Sequence, residues 1–256
     1  THTMAAFRSG LRALLPKEVT LLSGPGCPVC VTDDAYIDTA IALAQQPGAR
    51  VATFGDMLRV PGTESSLERA RAAGAQVRVV YSPLDALQEA QENPGLSIIF
   101  LGVGFETTAP GVASVVLQAR ERRLANFSVY ASHKLIVPAM KAVLEGASRI
   151  EGFITPGHVS VIIGPEAYED VAQHYAAPCV ATGFEPSDVL EGIAMVLECI
   201  AEKRAGSFVQ YTRAVKPGGN TRAWDILLRV FDIADAEWRG LGVIPGSGLV
   251  LKEAFA

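Results

Sequence analysis

Short apolar runs alternate with amphipathic segments along most of the chain. Residues 50–54, 97–103 and 179–182 are largely apolar runs of strand length, which is typical of buried strands. Residues 33–46 and 82–93 repeat apolar positions every three or four residues, which predicts helices. Strands and helices that alternate in this way form a parallel sheet with helices on both faces. The pattern therefore predicts an α/β fold.

The same pattern predicts the remaining elements. Further strands are predicted at 19–22, 76–80, 127–132 and 152–155, and further helices at 1–15, 65–74, 110–123, 138–145, 165–175, 187–205 and 221–231. One face of the first helix carries Met4, Phe7, Leu11, Leu14 and Leu15. Beyond residue 210 the chain is richer in loop residues, apart from the last helix, so a third, less regular region is expected there.

A faint internal repeat relates the two halves of the chain. Three pairs of segments resemble one another: Leu22–Cys27 and Ile154–His158, Val51–Asp56 and Val180–Glu185, and Val79–Pro83 and Arg213–Pro217. Their offsets are 131, 129 and 134 residues. A near-constant offset predicts two similar lobes, each a parallel sheet flanked by helices, and chance similarity between loops is the alternative.

Composition excludes several classes of protein. The 256 residues carry a net charge of −5, which gives no sign of affinity for nucleic acid or an anionic membrane. No apolar run reaches the roughly 18 residues of a membrane helix, and no signal peptide is found. Four cysteines do not make a disulfide framework, so we expect a cytoplasmic location. The chain starts without Met and ends without a clear stop, so we expect a fragment.

The segment Ser23–Thr32, with the sequence SGPGCPVCVT, presents two thiols between a predicted strand and a predicted helix. Its two glycines permit a sharp turn and its two prolines stiffen it. Free N–H groups at a helix start stabilise a thiolate, whereas the two aspartates that follow oppose this effect. We therefore expect Cys27 and Cys30 to have a chemical role and to interconvert between dithiol and disulfide. A buried pair or half of a zinc site is the alternative.

Two more polar residues follow predicted strands. Glu106 comes after the most apolar strand, and His158 comes after the strand at 152–155. Ligands bind outside the carboxyl ends of parallel strands, so we expect both residues to share one cleft with the two thiols, and His2 to open toward it. Glu106 can serve as a general base, a metal ligand or a hydrogen-bond anchor, and its plainer role is that of a helix N-terminal carboxylate.

The remaining histidines and cysteines fit structural roles. His133 is expected to line a cleft or to cap a turn, and His174 to be solvated. Cys179 and Cys199 are expected to be buried, inert thiols.

Six motifs in order along nearly the whole chain together resemble the HypD family of nickel–iron hydrogenase maturation factors. They are GPGCPVCVT at 24–32, FGDMLRVPG at 54–62, YSPLDA at 81–86, GFETTAP at 104–110, PGHVS at 156–160 and WRGLGVIPGSG at 238–248. Thr1–Thr3 also matches the tail of the family's Cys-Gly-Gly-x-Thr-His motif.

The resemblance implies two similar α/β lobes and a small iron–sulfur domain. We therefore predict one lobe at 1–95, a second at 96–206, and a connecting segment at 207–256 that begins the third domain. The family's iron-contacting cysteine would precede Thr1, and its 4Fe–4S cluster cysteines would follow Ala256. This chain by itself is then expected to lack a stable cluster.

The resemblance also implies a function. It implies a scaffold on which an Fe(CN)2CO unit is assembled with a HypC-type small chaperone and a HypE-type cyanide donor. Thiolates are soft ligands for iron, and the same pair can store two electrons as a disulfide. The chemistry would be carried by Cys27, Cys30, Glu106 and His158, and the iron unit would be bound by His2. The resemblance assigns no metal ligands within this chain. An assembly scaffold and electron donor is favoured over a stand-alone enzyme.

Two other classes of function stay open at this point. One is a general thiol–disulfide oxidoreductase that uses Cys27 and Cys30, although the chain lacks the compact length and pattern of thioredoxin. The other is a two-lobed small-ligand binding module in which the thiols are structural.

Overall fold

A computed structural model describes residues 2–146 and 149–255 of the protein. The chain forms two compact units. The first unit combines the described parts of Thr1–Gly26 and Ile136–Trp224, and the second combines those of Cys27–Leu135 and Asp225–Ala256. Thr1, the first residue of the Thr1–Thr3 motif, lies outside the described residues.

The helices of the described residues are α1 (His2–Arg8), α2 (Leu11–Leu14), α3 (Asp34–Ala44), α4 (Leu67–Ala72), α5 (Pro83–Glu92), α6 (Ala109–Glu121), α7 (Ile136–Glu145), α8 (Gly157–Ile163), α9 (Glu169–His174), α10 (Pro186–Ala201) and α11 (Thr221–Val230). Single 3-10 turns lie at Gly55–Arg59, Pro165–Tyr168 and Glu253–Phe255.

The strands are β1 (Ala49–Thr53), β2 (Val77–Val79), β3 (Ser97–Gly104), β4 (Phe127–Lys134), β5 (Phe153–Pro156), β6 (Cys179–Thr182), β7 (Ser207–Val209), β8 (Phe231–Trp238) and β9 (Gly242–Leu251). The second unit holds a six-stranded sheet with the order β2-β1-β3-β4-β9-β8, and the first holds a three-stranded sheet with the order β5-β6-β7. The alternation of strands and helices predicted from the sequence is therefore confirmed as an α/β fold.

The core of the second unit forms around β3. This strand pairs in parallel with β1 on one side and with β4 on the other. Ile99, Leu101 and Val103 pack into one cluster with α3 and α4. Ile98 and Phe100 alternate with them and are also fully buried, so both faces of β3 are covered. This is why the strand is a continuous apolar run rather than an alternating one.

The core of the first unit forms where α10 covers its three-stranded sheet. Val189 and Ile193 of α10 cluster with Ala6 of α1 and Leu11 of α2. Cys179, Val180 and Ala181 in the central strand β6 are completely buried. All three strands of this sheet are parallel, as the pattern predicts.

The sheets divide the chain differently from the predicted boundaries after residues 95 and 206. β3 and β4 belong with β1 and β2, because β3 pairs directly with β1. β7 pairs with β6, whereas β8 and β9 extend the larger sheet beyond β4. Residues 207–256 therefore complete both sheets instead of only connecting lobes. β9 runs antiparallel to β4 and to β8, so the larger sheet is mixed rather than wholly parallel.

The predicted strand at 19–22 is wrong, because these residues are irregular. The predicted helix at 1–15 is interrupted at Gly10, which adopts a left-handed φ of 67° between α1 and α2. Of the predicted apolar face, Leu11 is buried, but Phe7 is 75% exposed and Leu14 is 69% exposed. Ala6 and Leu11 are buried in the core, and Ala5 and Leu15 pack against it while partly exposed.

In residues 2–146 and 149–255, none of the helices combines the length and apolar character that crossing a membrane requires.

His133 is a buried polar residue at the carboxyl end of β4. Neither ring nitrogen has a hydrogen-bond partner among the described residues. Gly102 makes room for the ring, because a Cβ at that position would lie 2.8 Å from the His133 Cε1. The ring packs edge-on against Phe231 at 5.4 Å between centroids. Burial lowers the pKa of His133 to about 3, and the adjacent Lys134 adds to this effect.

This burial predicts a dependence of stability on pH. The pKa of His133 is lower in the folded protein, so its contribution to stability is present above pH 6.5 and is lost as the pH falls below it. Between pH 7 and pH 5 we expect wild type to lose about 2 kcal/mol of unfolding free energy more than His133→Leu does. Urea unfolding at both pH values measures this, with the exposed His174→Gln as control. Parallel pH profiles for wild type and His133→Leu would contradict the prediction.

Candidate functional site

The two predicted thiols form a disulfide inside one turn. The Cα atoms of Cys27 and Cys30 are 5.3 Å apart, within the range that a bridge spans without backbone movement. The backbone N–H groups of Cys30 and Val31 donate to the Cys27 carbonyl oxygen at 3.1 and 3.2 Å. The Thr32 hydroxyl donates to the Pro28 carbonyl oxygen at 2.9 Å. Cys27 is half-buried and Cys30 is exposed, so the bridge is open to exchange on the Cys30 side.

The loop is stabilised by its own backbone more than by the helix that follows. α3 begins at Asp34, and Asp33 caps it by accepting the backbone N–H of Tyr36 at 2.7 Å. One of the free N–H groups at this helix start is therefore already satisfied. The Cys27 Sγ instead lies 3.2 Å from the backbone N–H of Cys30, which is a donor within the turn. The same N–H also donates to the Cys27 carbonyl oxygen at 3.1 Å, so a Cys27 thiolate would share this donor when the bridge is reduced.

Glu106 lies where the sequence predicts, at the carboxyl end of β3. It stands in the turn before α6, two residues ahead of the N-cap Thr108. Its side chain is buried, with 2% of its surface exposed. The side chain of a buried carboxylate at a strand end has less freedom to move than that of an exposed residue in the first turn of a helix. Both Glu106 and the thiol pair belong to the second unit.

His2 and His158 both contact one aromatic ring in the first unit. The His2 ring stacks on Phe184 with centroids 4.6 Å apart and an interplanar angle of 16°. The His158 ring lies 5.1 Å from the same phenyl ring at 54°. His158 is in the first turn of α8, which begins directly after β5. Gly157 allows α8 to begin there, because a Cβ would lie 2.5 Å from the Thr182 carbonyl oxygen.

The surroundings of His2 define its tautomer. Its Nε2 lies 3.0 Å from the carbonyl oxygens of both Thr182 and Gly183. Since carbonyl oxygens only accept, Nε2 carries the proton and Nδ1 of the neutral ring is an acceptor. Burial lowers the pKa of His2. Burial also lowers the pKa of His158, with His2 adding to the effect. Both rings are therefore neutral near pH 7, which suits ligation or proton acceptance.

The segment that carries Phe184 is held by a buried carboxylate that sequence reasoning missed. Asp188 accepts from Gln210 Nε2 at 3.0 Å and from Arg213 Nη1 at 2.8 Å, and Arg213 Nη2 also donates to it. It also accepts the backbone N–H of Glu185 at 3.2 Å, in a capping box. Arg213 holds the pKa of Asp188 well below its usual range. The signal was present in the sequence, because Glu185-Pro186-Ser187-Asp188 has the spacing of such a cap.

Four of the five predicted site residues thus fall into two local groups. The structure brings Cys27 together with Cys30, and it brings both His2 and His158 into contact with the Phe184 ring. The prediction that Cys27, Cys30, Glu106, His158 and His2 all line one cleft stays a prediction. The other histidines and cysteines lie outside these groups. Cys179 and Cys199 are buried. Burial raises the pKa of Cys179 to about 12, and it also raises the pKa of Cys199. His174 is exposed.

The thiols of this chain do not fit a 4Fe–4S cluster, which takes four cysteine thiolates. Cys27 and Cys30 are bonded to each other, whereas Cys179 and Cys199 are buried thiols on different elements, a strand and a helix. No group of three or more His, Cys, Asp and Glu side chains in the described ranges is placed to hold a metal ion. No chemical step is therefore assigned to a cluster here.

Comparison with known proteins gives one consistent family. A family model described as HypD, Hydrogenase formation hypA family, matches residues 1–256. The chain is 47% identical over 263 residues to hydrogenase maturation factor HypD of Azotobacter vinelandii, covering 100% of this chain and 69% of that protein. It is 44% identical over 256 residues to hydrogenase maturation factor HypD of Escherichia coli, covering 99% of this chain and 69% of that protein.

The Asp188 network predicts a measurable contribution to stability. Asp188→Asn leaves the guanidinium of Arg213 without its bidentate partner, so we expect a loss of about 2 kcal/mol in unfolding free energy at pH 7. The pKa of Asp188 is lowered by folding, so this contribution is present above the unfolded pKa of about 3.9 and is lost as the pH falls below it. Wild type and variant should therefore converge in acid.

Urea unfolding of the two proteins at pH 7 and at pH 3 tests this. The matched control is Asp170→Asn, whose carboxylate pairs with Lys141 at the surface and is 74% exposed. We expect the control to change stability by less than about 0.5 kcal/mol. Equal losses for the two variants would show that the Asp188 network contributes nothing beyond a surface ion pair.

Proposed function

Because this chain belongs to the HypD family, we propose that it acts in hydrogenase maturation as an assembly scaffold with a redox-active thiol pair. The cargo is an iron unit, Fe(CN)2CO, that is built on the scaffold and passed on. The observation that carries the proposal is the Cys27–Cys30 turn, in which two cysteines lie at bridging distance with one of them exposed. Its proposed partners are a HypC-type small chaperone and a HypE-type cyanide donor.

The thiol pair supplies two kinds of chemistry. As thiolates, Cys27 and Cys30 are soft ligands that suit low-spin iron with CO and cyanide. As a redox couple, the two thiols form one S–S bond and release two electrons and two protons. The two electrons and two protons pass to a two-electron acceptor that is reduced as the unit is assembled. The Cys30 N–H close to the Cys27 Sγ favours the thiolate that begins either process.

The proposal extends to Glu106, His158 and His2. Neutral His2, with Nδ1 free of the carbonyl contacts, has the form needed to bind the iron unit or to accept a hydrogen bond. His158, also held neutral by burial, can accept a proton. Glu106 is a buried carboxylate at a strand end, the position where α/β sheets bind ligands. We propose that all three serve the same iron unit as the thiols.

A general thiol–disulfide oxidoreductase is the second candidate, because the bridge is exposed at Cys30. Insulin reduction separates the two functions. Turnover of insulin at the rate of a dedicated oxidoreductase would favour the second candidate. A third possibility, a small-ligand module with structural thiols, is separated by thiol alkylation: a HypC-type partner should protect Cys30 if the pair is part of the assembly site.

Replacing either thiol tests the main proposal. We expect Cys27→Ser and Cys30→Ser each to abolish hydrogenase maturation, because one thiol can neither form the bridge nor chelate. The assay is hydrogenase activity in cells whose own family member carries the corresponding substitution. The control is Cys199→Ala, which removes a buried thiol on α10 and should leave maturation intact. Normal maturation with either serine variant would refute the redox role.

Replacing the acid–base candidates tests their assignment. We expect Glu106→Gln and His158→Gln each to lower maturation at least about tenfold, because a lost general acid–base group typically costs about 10²- to 10⁴-fold. Reduction and reoxidation of Cys27–Cys30, followed by alkylation, should remain as in wild type. The control is the exposed Glu121→Gln on α6. Full maturation in both variants would leave the thiols as the only chemical groups of the site.

A further inference from the structure

We propose that Arg239 is the positioning residue of the Cys27–Cys30 pair, holding the turn in the form in which the bridge closes. This inference rests on the proposed redox function of the two thiols. Arg239 belongs to the motif at 238–248, for which the proposed function gives no role. All of its contacts described below lie within the second unit.

Arg239 binds the carboxyl end of the thiol turn through two adjacent carbonyl groups. Its backbone N–H donates to the Val31 carbonyl oxygen at 2.8 Å. Its side-chain Nε donates to the Thr32 carbonyl oxygen at 2.7 Å. The Val31 N–H in turn donates to the Cys27 carbonyl oxygen at 3.2 Å. The peptide groups on both sides of Val31 are therefore fixed, one by Cys27 and the other by Arg239.

The guanidinium also joins the turn to two other segments. Its Nη2 donates to the Pro61 carbonyl oxygen at 2.6 Å and pairs with the Asp34 carboxylate at 2.7 Å. The Arg239 side chain is only 27% exposed, so these bonds are partly shielded from water. A planar fork with several donors can bind two carbonyl groups and a carboxylate at once, whereas a lysine ammonium on a flexible stem cannot fix the same geometry.

The hairpin of β8 and β9 holds Arg239 rigidly in place. The preceding Trp238 is fully buried, and its indole N–H donates to the Ser247 hydroxyl oxygen at 2.8 Å. Ser247 in turn donates to the Ile244 carbonyl oxygen at 2.7 Å. Gly240 and Gly242, with φ of 79° and 76°, form the turn that follows. Arg239 thus projects from a fixed point and is preorganised to hold the thiol turn.

Preorganisation of the turn acts on the redox equilibrium. Closing the bridge costs less entropy when the backbone between the thiols is already ordered, so the effective concentration of one thiol near the other rises. In a glutathione buffer the reaction is dithiol plus oxidised glutathione giving the protein disulfide plus two reduced glutathione molecules. Removing the Arg239 side chain should therefore lower the equilibrium constant for bridge formation, which makes the pair more oxidising.

Redox equilibrium of the whole chain measures the effect. Arg239→Met keeps much of the side-chain length but removes the fork, and we expect bridge formation to weaken about tenfold, which is about 30 mV for a two-electron couple. Arg239→Lys keeps the charge without the fork and should weaken it about threefold. The control is Arg59→Met, because Arg59 is 84% exposed and pairs with Glu68 only at 3.6 Å. It should match wild type within a factor of two.

The oxidised fraction is read from mass shifts after alkylation, alongside thermal unfolding of both redox forms. If Arg239→Met does not fold, the folded Arg239→Lys decides. The inference is overturned if the equilibrium constant for bridge formation in Arg239→Lys equals that of wild type, or if that of Arg239→Met equals that of Arg59→Met. Either result leaves the proposed redox function intact. If wild type itself does not interconvert between dithiol and disulfide in this buffer, the proposed function fails first, and the inference falls with it.

Discussion

The parallel pairing of β3 with β1 and β4 is the constraint on which the second unit depends. It aligns Ile99 with Val51 on one side and with Ser128 on the other, so that the strands end at one edge of the sheet. Glu106 follows β3 at that edge, and His133 and Lys134 end β4 there. Burial of both faces of β3 leaves no freedom to shift this register, because a one-residue slip would move each side chain to the opposite face. The fold thereby fixes where the polar residues of this unit emerge.

The two local groups of site residues are held by different physical means. The thiol turn is a short backbone ring closed by N–H groups that donate to the Cys27 carbonyl oxygen, and it needs little from neighbouring side chains except Arg239. The histidines of the first unit instead rely on the Phe184 ring and on backbone carbonyl groups, with the Asp188 carboxylate fixing the segment that carries both. The proposed redox role requires a turn that tolerates two bond states, whereas neutral imidazoles require a fixed surface that is partly shielded from water.

Much of the fold was predictable because the decisive signals were local. The apolar run at 97–103 and the helical pattern at 82–93 predict β3 and α5 to within a residue or two. Residues 19–22 show the limit of such signals, since an apolar run of four residues fits a strand only if a partner strand lies beside it. The same limit applies to the β8–β9 hairpin. The eleven-residue motif at its turn and second strand is rich in glycine, and local pattern alone therefore predicts a loop there. Of the site, the thiol pair and its geometry were predictable, and the Phe184 contacts were not, because they join residues far apart in sequence.

The β8–β9 hairpin shows why a sequence motif so distant from the thiols can govern them. Arg239 and Thr32 are 207 residues apart, so no local pattern connects them. What brings them together is the pairing of β8 with β9: Trp238 pairs with Gly242, and between the pairs Ala234–Gly248 and Ala236–Ile244 the β9 strand advances by two more residues than β8 does. Trp238 is fully buried at the end of β8, and Arg239, the next residue, binds the thiol turn. The bulge lies on β9 and includes Ser247, whose hydroxyl oxygen accepts the Trp238 indole N–H and so holds that ring in place. The bulge therefore belongs to the same structural device as the arginine, although it touches neither cysteine.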